Sequence, residues 1–214
     1  MEQKDYDFYV VGGGPSLRNF DWSLLDDKRV IAVNHSWKYV KNPEYICWMD
    51  SCFHKQYEGQ FPGCKKIYRR NEHSLPPDST MIEVQEFLKE YSLLHVVGHK
   101  NKINYSGELG LLIGIALSQG KGNIYLLGYD AGHDYKLLSD SYFHTDHIHL
   151  FGEEKYKVTK ANQKVHKNQV IKMEQLQEKL RNKGIKYDNV FNLNLESNYT
   201  GFEKISLNQH FYGG

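Results

Sequence analysis

The sequence predicts an α/β fold: a single Rossmann-like, mostly parallel, doubly wound sheet, with residues 1–214 forming one domain and a lid inserted near 131–161. Short β-rich apolar runs alternate with helical stretches, the first run stops in a Gly-Gly-Gly-Pro-Ser turn, and later runs also end in polar residues. Strands alternating with crossover helices lie parallel and are covered on both faces. Ligands of such sheets bind outside the carboxyl ends of the strands.

Asp7 to Val11 (DFYVV) reads as the first strand, followed by the glycine turn and a helix over LRNFDWSLL, which opens a βαβ unit. Val30 to Val33 (VIAV) and Tyr45 to Met49 (YICWM) are the next strands, ending at Asn34-His35-Ser36 and Asp50-Ser51. Lys65 to Tyr68 is a weaker strand and Leu93 to Val97 (LLHVV) a stronger one, while residues 70 to 92 show little pattern. Ser106-Gly107 begins the helix ELGLLIGIALSQGKG, whose terminal glycines mark its stop. Asn123 to Leu127 (NIYLL) is a central strand ending in Gly128-Tyr129-Asp130. Residues 131 to 161 are rich in His, Tyr, Asp and Lys, too long for a plain connection, and therefore read as a lid. An amphipathic helix from Asn162 ends at Gly184, Asn189 to Leu193 is the last strand, and the tail wraps back.

Composition narrows the function classes. The chain holds 27 Lys+Arg against 26 Asp+Glu, a formal net charge of +1, so it has no chain-wide basic field for coating nucleic acid. Cys47, Cys52 and Cys64 are odd in number and lack C-x-x-C spacing, which fits a reducing compartment. No apolar run approaches the roughly 20 residues of a membrane span, and the polar start MEQKDYDF has no signal-peptide core. The expected location is cytoplasmic. The 18 Gly, 16 Tyr and 11 His stand out: glycines follow the ends of several strands, and four of the histidines and three of the tyrosines lie in the lid.

The strand ends supply the candidate site. Gly12, Gly13, Gly14, Pro15 and Ser16 do not form G-x-G-x-x-G and carry no Walker lysine, which disfavours a nicotinamide oxidoreductase and a P-loop kinase. Three glycines still let a backbone approach a ligand, and the next helix start offers N–H groups to an anion; a tight turn with Ser16 as cap is the plainer alternative. Tyr105, Ser106 and Gly107 repeat the device at a second helix start, and two such turns in one sheet favour a nucleotide. Asn34 is suited to a base, ribose or phosphate, or else to a buried turn. Asp50 is open to a ribose hydroxyl, magnesium or a helix cap. Asp130 shares these alternatives and stands as a candidate catalytic residue, with Tyr129 beside it as a binding candidate.

His144, Asp146, His147 and His149 resemble a metal cluster, but zinc sites usually fix ligands on a helix or by cysteine spacing, so a polar lid against substrate is preferred and no metal site is assigned. His166 precedes the amphipathic helix, with Lys164 and Lys167 beside it. A neutral imidazole there has the pKa to deprotonate a hydroxyl near neutral pH, and the adjacent cations favour the neutral form.

Taken in order, VVGGGPSL, AVNHS, YSGELGLLIGIALSQGKGNIYLLGYD, VHKNQVIKMEQLQEKL and NLNLESNY resemble the bacterial sialyltransferases of glycosyltransferase family forty-two. The opening, GYD and the S-x-x-x-G-F-E-K ending are also similar to an archaeal group that includes 6-hydroxymethylpterin pyrophosphokinases, and to uncharacterised phage proteins. The sialyltransferase resemblance implies a GT-A-like variant of the fold and a nucleotide-sugar donor lined by Gly13 to Ser16 and gripped by Asn34, Ser106 and Gly107. It implies His166 as general base and phosphate-binding tyrosines among Tyr135, Tyr142 and Tyr156. No cofactor is then required, whereas the pyrophosphokinase group would use ATP and magnesium, for which Asp50 and Asp130 remain open. A non-catalytic nucleotide-binding accessory protein is the third alternative. The acceptor is a glycan hydroxyl or, given the basic stretches Lys65-Lys66 with Arg69-Arg70 and Lys155 to Lys167, a hydroxymethylated base in phage-type DNA.

Overall fold

The computed structural model describes residues 6–68, 80–97, 103, 105–131 and 160–213, the side chains of Ser51, Cys52, Lys55 and residues 160–166 excepted. Eight strands form one sheet: β1 (Phe8–Val11), β2 (Val30–Val33), β3 (Tyr45–Trp48), β4 (Lys65–Tyr68), β5 (Met81–Glu83), β6 (Ile124–Leu127), β7 (Val190–Asn192) and β8 (Glu203–Lys204). Their order is β5-β4-β3-β2-β1-β6-β7-β8 and every pairing is parallel, with Tyr9 opposite Val30 on one side of β1 and Val10 opposite Leu126 on the other. The α/β, Rossmann-like doubly wound sheet expected from the sequence is therefore present, and it is parallel throughout these pairings.

Continuous apolar runs become central strands because both faces are covered. Phe8 and Val10 of β1 join the core beneath the helices α2 (Val84–Glu90), α4 (Ser106–Ser118) and α5 (Lys160–Asn182). Tyr9 and Val11 face the opposite way, toward Leu17, Phe20, Leu25 and the half-buried Phe211 of the C-terminal helix α6 (Leu207–Tyr212). Beyond β2 and β3 a third, aromatic cluster holds Trp48, Phe53 and Tyr57, the last two from α1 (Ser51–Tyr57). α4 lies across β1, β2, β3 and β6 and is buried on almost all sides, as its apolar stretch LGLLIGIAL requires. Its glycines let it come close: a Cβ on Gly110 would fall 2.7 Å from Val33 Cγ2 and 2.9 Å from Val10 Cγ1.

Several elements differ from their sequence-based expectation. Leu93 to Val97 is not a strand; Leu94–Val97 is a short helix, α3, and the sheet position beyond β4 is taken by Met81–Glu83. An apolar run of five residues fits a buried helix turn as well as a strand, and here packing against α2 and α5 decides. The segment after the glycine turn forms two short 3-10 helices, Pro15–Leu17 and Trp22–Leu25, instead of one helix, because Asp21 leaves the helical region and caps the second through Ser23 N at 3.1 Å. α5 begins at Lys160, so His166 lies inside it rather than ahead of it. The tail adds β8 to the edge of the sheet before forming α6.

Candidate functional site

Strand order reverses at β1 and β6, so the turns leaving these strands border the crevice where doubly wound sheets take ligands. The two turns are bonded side by side. Gly12 N donates to Leu127 O at 2.8 Å and Gly14 N to Gly128 O at 2.9 Å. Asp130, only 4% exposed, reaches from the β6 turn into the β1 turn. Its Oδ2 accepts from Ser16 N at 2.8 Å, and its Oδ1 from Ser16 Oγ at 2.6 Å and from Asn194 Nδ2 at 2.7 Å. Position 14 must be glycine here, since a Cβ would lie 2.4 Å from Asp130 Oδ2.

With Leu17 N donating to Gly14 O at 3.3 Å, the amides of Gly12, Gly14, Ser16 and Leu17 all have partners within the protein. The expected free N–H groups of a helix start are thus not offered by Ser16 or Leu17. Pro15 is half-buried and the Ser16 side is exposed.

The strand beyond β6 is fastened by a second polar network. Asn192 is fully buried; its Nδ2 donates to Tyr129 O and to Ser197 Oγ, both at 3.0 Å, and its Oδ1 accepts from Asn194 N at 3.1 Å. Ser197 Oγ donates to Tyr129 O at 2.6 Å, and Asn198 N to Asp130 O at 2.9 Å. In the sequence Asn192, Asn194 and Ser197 are visible only as the NLNLESNY block, because pairing within a turn of polar residues leaves no periodic trace.

Tyr129 is buried, and its hydroxyl donates to Gly107 O at 3.0 Å. Burial drives its pKa well up, so it stays a neutral strut between β6 and the start of α4. At that start Tyr105 N donates to the buried Glu108 Oε2 at 3.0 Å, and the buried Ser106 Oγ accepts from Met49 N at 3.2 Å, tying α4 to the end of β3. Burial, then Glu108, raises the pKa of the half-buried Tyr105 hydroxyl. Tyr199 packs on Tyr129 with ring centroids 6.1 Å apart; burial, with Glu108 and Asp130 adding, pushes its pKa up.

Asn34 follows β2 with φ 53°, a left-handed conformation that Asn tolerates. Its Oδ1 is buried and accepts no hydrogen bond from the described residues, whereas Ser36 Oγ anchors the same turn to Val11 O at 2.7 Å. Buried carbonyl oxygens are normally paired, which sets this one apart among the described residues. Asp50 occupies the N-cap position of α1 without making a capping bond and is exposed.

The structure therefore brings Gly12, Gly13, Gly14, Pro15, Ser16, Asn34, Asp50, Tyr105, Ser106, Gly107, Tyr129 and Asp130 to the carboxyl edge of one sheet. His166 is placed by its backbone in the second turn of α5, and Tyr142 with most of the 131–161 segment lies outside the described residues. One basic stretch is corrected: Lys66 is 4% exposed and donates to Thr80 Oγ1 at 2.6 Å and Cys64 O at 3.2 Å, so it belongs to no surface patch. Among the described residues no three His, Cys, Asp or Glu side chains gather as metal ligands, and no helix is long and apolar enough to cross a membrane.

The arrangement is that of a doubly wound α/β protein, with the turns after β1 and β6 at the topological switch point where such sheets take ligands. No protein-family model and no curated protein matches the sequence. Solved structures do match. The monofunctional alpha-2,3-sialyltransferase Cst-I from Campylobacter jejuni superposes with a TM-score of 0.56 at 19% identity, covering 95% of this chain and 81% of its own. A single-residue variant of the sialyltransferase CST-II, in complex with CMP, gives 0.55 at 19% identity, over 94% and 87% of the two chains. CstII from Campylobacter jejuni with the substrate analogue CMP-3FNeuAc gives 0.56 at 17% identity with the same coverage. This chain has the fold of those sialyltransferases.

Proposed function

We propose that the protein is a nucleotide-sugar-dependent glycosyltransferase whose donor, a cytidine nucleotide sugar, seats at the carboxyl edge around β1 and β6. The observation that carries this is a fold shared over 94% of the chain with sialyltransferases crystallised with CMP and with CMP-3FNeuAc. The buried Asn34 Oδ1, without a partner among the described residues, supports it, because it can accept from a ribose hydroxyl or an exocyclic amine. Asp50, exposed and not capping, is free to accept from a second hydroxyl.

In the proposed reaction His166 takes the proton of the acceptor hydroxyl while the acceptor oxygen bonds the anomeric carbon. The bond from that carbon to the donor phosphate oxygen breaks, and the nucleotide leaves with the electron pair. Tyr142 or a neighbouring lid tyrosine stabilises the departing phosphate, and the 131–161 segment excludes water. Ser106, Gly107 and the Gly12 to Ser16 turn position the donor, with Tyr129 supporting them from beneath.

The test is a thermal-shift and calorimetric screen of nucleotides and nucleotide sugars. Binding at about a hundred times the dissociation constant raises stability by about 2.7 kcal/mol, which such a screen resolves. Stabilisation by CMP and CMP-sugars supports the reading, and a His166→Ala variant is then expected to bind donor normally while losing transfer about a hundredfold or more. A response to ATP with magnesium and to no nucleotide sugar would replace it with the pyrophosphokinase reading; binding without turnover of any donor, across glycan and hydroxymethylated-DNA acceptors, would point to an accessory protein.

A further inference from the structure

Asp130 joins three segments that the sheet alone does not connect at this edge. Its carboxylate takes Ser16 N, Ser16 Oγ and Asn194 Nδ2, and its carbonyl oxygen takes Asn198 N. The residue is 4% exposed, and the Gly14 backbone passes so close that no side chain fits between them. Both carboxylate oxygens are thereby engaged within the protein. Ser16 N and Asn194 Nδ2 are obligatory donors on separate oxygens, so the side chain must accept at both, which a carboxylate does and an amide does not.

We propose that Asp130 is a positioning residue: it holds the Gly14-Pro15-Ser16 turn after β1 against the Leu193–Ser197 turn after β7, fixing the floor on which the nucleotide seats. The proposal rests on the donor-site reading above for its functional half, while its structural half stands on the hydrogen bonds alone.

In Asp130→Asn the single amide oxygen can face either Ser16 N or Asn194 Nδ2, which contact different carboxylate oxygens in the wild type, so it leaves Ser16 N whenever it serves Asn194. The variant cannot satisfy both at once, because the donor left over faces the amide nitrogen. Adding Asn194→Asp repairs the mismatch, since its carboxylate accepts from the amide at position 130 and keeps an oxygen for Glu196 N, which Asn194 Oδ1 now receives at 3.0 Å. The charge is kept and moved by one hydrogen bond.

Four full-length proteins decide the matter: wild type, Asp130→Ala, Asp130→Asn, and Asp130→Asn with Asn194→Asp. Amide hydrogen exchange is read at Ser16 and, as an internal control, at Ile31 in β2; CMP binding is read by calorimetry. In both Asp130 single variants Ser16 protection and CMP affinity are expected to fall about tenfold or more with Ile31 still protected, and the double variant recovers both to within about threefold. If Asp130→Ala does not fold, Asp130→Asn and the double variant carry the test. Retained Ser16 protection in the single variants, or a folded double variant that recovers neither quantity, overturns the proposal. If wild type binds neither CMP nor another nucleotide, the donor-site reading fails, and the exchange pattern alone decides whether Asp130 holds the turn.

Discussion

The Tyr129 hydroxyl sits 3.0 Å from the Gly107 carbonyl oxygen, and a Cβ on Gly110 would fall 2.8 Å from that hydroxyl. Tyr129 therefore props the first turns of α4 from below, where the helix backbone approaches the sheet closely. Gly110→Ala gains helix propensity of up to about 1 kcal/mol but must displace Tyr129, Val10 and Val33, an overpacking cost of about 1–3 kcal/mol. The expected net result in urea denaturation is destabilisation. Tyr129→Phe keeps the ring and removes only the hydroxyl, for a loss of about 1 kcal/mol. With donor affinity unchanged in calorimetry, Tyr129→Phe would mark the hydroxyl as a strut; a large loss of affinity with little loss of stability would mark a ligand contact.

Asn34 has the opposite profile. Its backbone is left-handed and its Oδ1 is buried without a partner among the described residues, so the amide contributes little to the fold and glycine satisfies the backbone equally well. Asn34→Gly is expected to leave the denaturation midpoint nearly unchanged while weakening CMP binding by about tenfold or more, the cost of one lost hydrogen bond to a buried acceptor. Both are readable from one calorimetric titration and one urea curve. Asn34→Ala separates the effects further, adding about 1 kcal/mol of backbone strain to the same loss of binding.

How much of this was legible in sequence depends on the range of the interactions. β1, β2, β3 and β6 are apolar runs whose polar stops locate the carboxyl edge without further information, and α4 is legible from its long apolar stretch. Leu93 to Val97 misled because a run of that length carries no distinguishing period, and Met81–Glu83 escaped because three residues at the sheet edge leave almost no pattern. The clamp could not be read at all. Asp130 meets Ser16 across 114 positions and Asn194 across 64, contacts that no local pattern announces.

The end of α4 offers a stability test away from the site. Gln119 caps this helix with φ 51°, followed by Gly120 at φ 68°, so two successive left-handed residues close it and only the second is glycine. Gln119 is exposed, and a non-glycine residue in this region costs about 1–2 kcal/mol. Gln119→Gly is expected to raise the urea midpoint by about 1 kcal/mol of stability after the added unfolded-state entropy of glycine is subtracted. A decrease would mean that the Gln119 side chain makes a contact that outweighs the backbone strain.

α6 is held on the sheet by His210, and this makes its attachment sensitive to pH. His210 Nε2 lies 3.0 Å from the Tyr9 hydroxyl, its ring centroid 4.2 Å from that of Tyr125, with Phe211 packed on Tyr9. Burial, and next the Lys28 charge, lower the His210 pKa, while Asp7 opposes them. Burial also raises the Tyr9 pKa, so the phenol stays neutral and can donate to the imidazole. Since the folded pKa lies below the unfolded value of about 6.5, the unfolded chain binds more protons between the two values, and stability falls as pH drops through that window. His210→Gln keeps a hydrogen-bonding group for Tyr9 and removes the titration. The urea midpoint of wild type is therefore expected to fall more than that of His210→Gln between about pH 7.5 and pH 5.5, the interval in which histidine changes charge. Parallel pH profiles for the two proteins would show that His210 titrates alike in the folded and unfolded chains.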